Sequence, residues 1–452
     1  MKKTILLLAF IVLSISFLSA QEKTATEKTI PTGWKFGGAL PALSYDSDVG
    51  FRYGVIGYIY DWGDGSLYPD YLRSIYLEAS RTTKGSETYR IQYDDKAFLN
   101  TKIRFLGEIG FYGEQALDFY GFNGYQAIYH HSWENTNDPN YKTRMFYRHE
   151  RKLFRISTDF QLPITSKHFR AFWGLNYFGM HINSVDIDKL NKGKKPQEML
   201  PSHDSVPGLY ELYQQWGIFK QSEIHGGNVI LLKGGLIYDT RDNEALPTKG
   251  LWDDIVLIGG MPIAQKPYLQ ISITHRQYFT LIKKHLFFAY RLVYSGKIAG
   301  QVPYYMLPFY FNTDFTNGDI QNAFGGAKTI RGILRNRIVA DAVFFENAEL
   351  RWRIIDFRFI KQNFYIALSS FLDGGMVLQP YKFNTNDIPA SVLNSEKYFN
   401  FSKKELTKFH IGYGGGFRIA MNENFIVAVD YGIANNKQDG SSGMYIGLGW
   451  LF

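Results

Sequence analysis

Residues Ser441-Ser442-Gly443-Met444-Tyr445-Ile446-Gly447-Leu448-Gly449-Trp450-Leu451-Phe452 form the last stretch of the sequence, and their reading decides the fold. Met444, Ile446, Leu448, Trp450 and Phe452 fall on one face at a period of two, and Gly447 and Gly449 fall on the other. That is the pattern of a strand with one apolar face. It recurs upstream. Ala348, Leu350, Trp352 and Ile354 interleave with Asn347, Glu349, Arg351 and Arg353, and Phe154, Ile156 and Phe160 alternate with Arg155, Ser157, Asp159 and Gln161. In a soluble sandwich the charged face would meet water and the apolar face a core. In an outer-membrane barrel the apolar face meets lipid and the charged face lines the lumen.

Composition narrows the choice. The 452 residues hold 36 Phe, 32 Tyr and 8 Trp but no Cys, with 20% charged side chains. So many rings argue against disorder, and no apolar run after Ala20 is long enough for a membrane helix. The missing cysteines exclude a disulfide framework, a thiolate zinc site and a cysteine nucleophile. Lys2 and Lys3, an apolar run from Ile5 to Leu18 and small residues at Ser19-Ala20 read as a signal peptide over 1–20. Its two lysines contribute to the formal charge of +8, so the basic balance of the mature chain is smaller and does not point to nucleic acid. The surroundings of an exported chain of this kind are outer-membrane lipid and lipopolysaccharide.

Sixteen strands are predicted, near 34–45, 50–61, 70–83, 86–95, 99–112, 142–162, 168–182, 226–240, 251–261, 266–280, 283–298, 343–357, 362–375, 408–420, 423–434 and 441–452. The four long connections, 113–141, 183–225, 299–342 and 376–407, are all odd-numbered. Outer-membrane barrels sort loop length in this way, with short periplasmic turns and long external loops. A soluble β protein has no reason to. The expected fold is therefore all-β: a transmembrane antiparallel barrel of sixteen strands over 34–452, preceded by a short periplasmic segment, 21–33. Part of the aromatic content should form girdles at the two membrane interfaces, with Tyr58, Tyr60, Phe288, Tyr290, Tyr294, Trp352 and Trp450 on predicted strands.

Three motifs sit on this frame. Tyr238-Asp239-Thr240-Arg241-Asp242-Asn243, followed by Pro247-Thr248-Lys249-Gly250, is a structured periplasmic turn, since Asp and Asn bond nearby backbone, Pro fixes φ and Gly permits positive φ. Ile330-Arg331-Gly332 lies in the long loop before the twelfth strand. Phe371-Leu372-Asp373-Gly374-Gly375 places Asp373 on the inward parity, as the alternation does Glu349. Together these residues resemble the BamA/TamA-type superfamily of outer-membrane assembly and translocation barrels, the bacterial surface antigen family. The turn matches that family's motif almost fully. The loop motif matches at Ile330, Arg331 and Gly332 but has Ile333 in place of an aromatic. Glu349-Leu350-Arg351 and Phe371 to Gly375 match two further motifs, and Phe452 resembles the C-terminal signal that hands barrels to their assembly machine. The motifs are concentrated in 226–452.

The resemblance implies that the long external loop folds into the lumen and that Arg331 pairs there with Asp373 and Glu349. The ten histidines are scattered, with no spacing a metal would need, so no cofactor and no metal are expected. The family's usual periplasmic repeat domains do not fit in 21–33, so the chain reads as a barrel-only member that relies on a separately encoded periplasmic partner or on its own first-to-last strand seam. Gly37, Gly38, Gly447 and Gly449 would thin that seam. A nucleophile elbow, a His-Glu-x-x-His helix and a P-loop are all missing from the sequence, and adjacent Ser202-His203-Asp204 does not make a spatial triad. An enzyme is not expected. The expected function is assistance in inserting or passing unfolded outer-membrane or exported proteins. The alternatives are an outer-membrane channel and a surface-interaction barrel without insertase activity.

Overall fold

The computed structural model describes residues 31–452 except 48, 69–70, 244–245, 316–323, 360–361 and 422–424, so the expected signal peptide and most of the segment 21–33 lie outside the described residues. Strand β1 (Trp34–Pro41) and β2 (Ser44–Asp46) are two halves of one barrel strand. Both pair with β3 (Gly50–Asp61) in a common register, as Pro41 with Val55 and Ser44 with Arg52. The ladder pauses after Pro41, which has no N–H to give. Then follow β4 (Arg73–Thr82), β5 (Ser86–Asp95), β6 (Arg104–Asp118), β7 (Arg148–Ser166), β8 (Phe169–Asn183) and β9 (Gly226–Asp239). The second half comprises β10 (Gly250–Pro262), β11 (Tyr268–Ile282), β12 (Leu286–Ala299), β13 (Ala342–Phe359), β14 (Gln362–Gln379), β15 (His410–Met421), β16 (Phe425–Ala434) and β17 (Ser442–Leu448).

From β2 onward each strand pairs antiparallel with its successor, and β17 returns to β2. The result is a closed antiparallel barrel of sixteen strands. Alternation sorts the walls as the sequence reading requires. On β13, Glu349 and Arg351 are buried toward the lumen while Leu350 and Trp352 face out; on β14, Asp373 is buried and Leu372 faces out. Tyr58 and Tyr60 share the face of Arg52 and its partner Glu78, so they line the lumen and do not join an outer girdle.

The four long connections, 119–147, 184–225, 300–341 and 380–409, all leave the same end of the barrel. They close over it in one aromatic core that includes Phe122, Trp133, Tyr147, Tyr213, Phe219, Tyr304, Tyr381 and Phe399. A short helix, Leu209–Gln215, contributes Leu209, Tyr210 and Tyr213 to this cap. Burying a side chain of this size stabilises by roughly 1.5–3 kcal/mol relative to exposing it. Much of the unusual aromatic content is therefore in the cap and not in membrane girdles.

Strands β6, β7 and β14 run four to six residues further than expected, ending at Asp118, Ser166 and Gln379, and three other boundaries differ for visible reasons. Leu99 and Asn100 have positive φ, so 98–100 form a tight turn and β6 begins later, at Arg104. Residues 142–147 belong to the cap, where Phe146 and Tyr147 are fully buried, and β7 begins at Arg148. The last strand ends at Leu448, not Phe452. Gly449 takes φ +79 and turns the chain off the wall. Trp450 then lies with its ring 4.5 Å from the Arg351 guanidinium and 4.7 Å from that of Arg418. Phe452 is buried against Tyr278 and Ala289, and its carbonyl accepts a hydrogen bond from Arg351 at 2.9 Å. Trp450 and Phe452 thus leave the lipid-facing row. Cation–π attraction to buried arginines outweighs the strand alternation.

Candidate functional site

The loop 300–341 enters the lumen. On its way down Tyr310 meets Thr274, Thr313 accepts from Gln161 and donates to Asp254, and Asp314 pairs with Arg276 at 2.7 Å. Phe315 sits 5.2 Å from the guanidinium of Arg104, at the start of β6 and so near the periplasmic end. The returning limb carries Ile330, Arg331 and Gly332. Ile330 is fully buried with Ile333, Val343, Phe345 and Val377, so Ile333 takes part in packing where the family motif has an aromatic.

Arg331 is fully buried among carboxylates. Nε and Nη2 form a fork on Asp373 at 2.8 and 3.0 Å, and its backbone N–H also donates to Asp373 at 3.0 Å. Nη1 donates to Glu349 at 2.6 Å and stands 3.5 Å from Asp430. The guanidinium plane lies 3.5 Å from the centre of the Phe371 ring. The wall residues are shared with other arginines: Arg351 donates to Glu349, and Arg418 forks onto Asp430 at 2.7 and 2.9 Å. Asp373 has Arg331 as its side-chain cation. This arrangement holds a planar, weakly hydrated cation in a dry site better than a lysine would be held.

Gly332 explains why the arginine is followed by glycine. Its φ is +88, and a Cβ there would lie 2.6 Å from the backbone nitrogen of Ile433 on the wall. Gly412 and Gly432 face the loop across the same gap, where a Cβ would meet the Arg331 carbonyl at 2.0 Å and the Gly332 nitrogen at 2.6 Å. Three glycines let loop backbone touch wall backbone. Gly332→Ala is expected to lift the loop from the wall and expose the bonds near Arg331 to limited proteolysis. A cleavage pattern unchanged from the parent would remove this account.

Two further arginines of the same limb went unremarked in the sequence. Arg335 reaches the opposite wall, donating to Glu114 at 2.8 Å and Asp118 at 3.0 Å on β6. Arg337 donates to the carbonyls of Gly124, Ala127 and Gln438 in the cap, at 2.9, 2.9 and 2.8 Å. Their spacing in Arg331-Gly-Ile-Leu-Arg335-Asn-Arg337, with no acid between them, is the hint that was there to read. A second ionic set joins the cap to β15: Asp439 accepts from Tyr125 and lies 2.7 Å from His410 Nδ1.

The structured turn closes the periplasmic mouth. Asp239 accepts from Arg241 at 3.0 Å and from Arg170 at 3.0 Å, while the Arg241 guanidinium stacks 4.4 Å from the Trp252 ring. Asp242 accepts from the Thr248 hydroxyl and from the N–H groups of Thr248 and Lys249. Burial opposes its charge, but these donors hold its carboxyl below the usual range. Pro247 is buried, and Gly250 has φ +95 with no room for a Cβ against the Thr240 carbonyl. Leu246 packs with Tyr365, Ala367, Ala420 and Ile426 of the far wall. Among the described residues no group of three or more His, Asp or Glu side chains is arranged to hold a metal.

A closed barrel with an arginine-anchored loop in its lumen defines a class, the bacterial outer-membrane assembly and secretion barrels. The chain belongs to the Omp85 superfamily, whose domain matches residues 73–452. No curated protein matches it. Among solved structures it is similar to BamA from Haemophilus ducreyi lacking POTRA domains 1–3, with 13% identity and a TM-score of 0.54 over 93% of this chain and 70% of that one. It is also similar to CdiB from Escherichia coli, with 8% identity and a TM-score of 0.50 over 91% of this chain and 63% of that one. At these identities the likeness is one of fold.

Proposed function

We propose that this barrel assists the insertion or passage of unfolded outer-membrane or exported proteins, delivered by a separate periplasmic partner. The observation that carries the reading is the seam. Between β17 and the first strand, the paired residues are Tyr445 with Asp46 and Ile446 with Tyr45, reinforced by Ser47 on Met444. By contrast β13 and β14 pair continuously from Ala342 with Gln379 to Phe359 with Gln362. Among the described residues β1 pairs with β3 alone, so its other edge carries unpaired N–H and C=O groups. Such an edge templates an added strand. Gly37 adds a bulge, and a Cβ there would strike the Tyr60 ring at 2.5 Å.

The lumen supports the same reading against a diffusion channel, because residues 300–315 and 324–341 of the loop and the aromatic cap occupy it. The test is depletion of the protein with quantitation of other outer-membrane proteins and of secreted ones. A several-fold fall in a subset is expected. Unchanged levels together with steady conductance of the purified barrel in planar bilayers would leave the channel alternative instead.

A further inference from the structure

The outer surface of the cap holds a cluster of positive charge that the lumen site does not involve. Lys142 places Nζ 3.6 Å from the centre of the Trp133 ring and 4.3 Å from that of Phe146, and donates to the Tyr398 hydroxyl at 3.2 Å. Lys397, from the loop 380–409, brings Nζ to 5.7 Å from the same Trp133 ring and 5.9 Å from Tyr398. The His130 imidazole stacks on Trp133 at 4.1 Å, with Nε2 2.7 Å from the Lys397 carbonyl. Trp133 is buried, His130 and Lys142 are half-buried, and Lys397 is exposed.

Two ammonium groups and an imidazole thus converge on one indole. Among the described residues neither lysine forms an ion pair, whereas Arg331, Arg335 and Arg151 each meet carboxylates. Burial, with Lys397 beside it, pulls the Lys142 ammonium down to about 8. A cation–π staple between two loops accounts for Lys142 alone. It does not account for a second ammonium drawn to the same ring, which repels the first. A counter-ion supplied from outside does.

We propose that a phosphate group binds on the outer face of the cap between Lys142 and Lys397, with His130 and the Tyr398 hydroxyl at its rim. Two ammonium groups supply several donors to a tetrahedral oxyanion, and partial burial limits screening. The same chemistry is offered by the phosphorylated headgroup of lipopolysaccharide and by free polyphosphate.

The test is competitive labelling of the intact barrel in detergent with an amine-reactive acylating agent at pH 8, read residue by residue by mass spectrometry. Exposed Lys195 serves as the internal reference. Inorganic pyrophosphate forms one arm; vesicles containing lipopolysaccharide form the other, against vesicles of phosphatidylcholine. Saturating ligand is expected to slow labelling of Lys142 and Lys397 by about tenfold relative to Lys195. Lys397→Met is expected to abolish the protection of Lys142 while the barrel keeps its heat-modifiable mobility. Protection by pyrophosphate alone, or by lipopolysaccharide alone, supports the site and names its source. Labelling of both lysines that tracks Lys195 in both arms overturns the proposal.

Discussion

Replacing Arg331 by alanine is expected to destabilise the barrel by about 3–5 kcal/mol, the cost of stranding a buried carboxylate. The size of the effect follows from who keeps a partner. Glu349 retains Arg351, and Asp430 retains Arg418. Among the described residues Asp373 has no second hydrogen-bonded arginine, keeping the backbone N–H of residue 331 and only the through-space charge of Arg291. Asp373→Ala should cost a comparable amount, because it strips the fork from a fully buried guanidinium. The double variant should be less damaging than the sum, since it removes both orphaned charges together. Arg331→Lys should fail to rescue, a point charge being unable to serve Asp373 and Glu349 at once. Urea titration of heat-modifiability in lipid vesicles measures all four. Strict additivity would show that the two residues act separately and that the clamp is a geometric pairing without energetic meaning.

The second large effect concerns the seam. Tyr45 and Ile446 are ladder partners, and facing residues of an antiparallel pair stand about 4.5–5.5 Å apart at Cα, within the range a disulfide spans. The chain has no cysteine, so a Tyr45→Cys, Ile446→Cys variant has one bond to form. Oxidised, it is expected to support outer-membrane protein levels no better than depletion does, and reduction should restore them. A tether at Val55 and Ala79, partners on β3 and β4 away from the seam, should be harmless. An oxidised seam tether with full activity would mean that clients do not pass by way of this edge.

Much of this was legible in the sequence, and the reasons differ by residue. Strand alternation and loop parity are local properties of the chain, so sixteen strands and the inward faces of Glu349 and Asp373 could be read directly. The family motifs named Arg331 and its neighbours. What the sequence hid was long-range. Gly449 looked like one more small residue of a strand, and only the arginines of β13 and β15 turn Trp450 and Phe452 inward. Arg335 and Arg337 find their partners more than two hundred residues away in Glu114, Asp118, Gly124 and Ala127, a separation no periodicity reports. The share of the aromatic rings that belongs to the cap was not legible, because composition cannot distinguish a girdle from a cap.

The two wall-binding arginines have a mechanical meaning as well. A barrel is a hoop, and a hoop without spokes ovalises under load. Arg331 fastens one end of a strut to β13, β14 and β16, Gly332 donates to the Tyr445 hydroxyl on β17, and Arg335 fastens the other end to β6. The arc from β6 round to β17 is thereby stiffened. Among the described residues the strut's named contacts leave out β1 to β5. The seam therefore separates a braced jamb from a hinged door: the proposed opening would leave β17 with the frame and swing the β1 side.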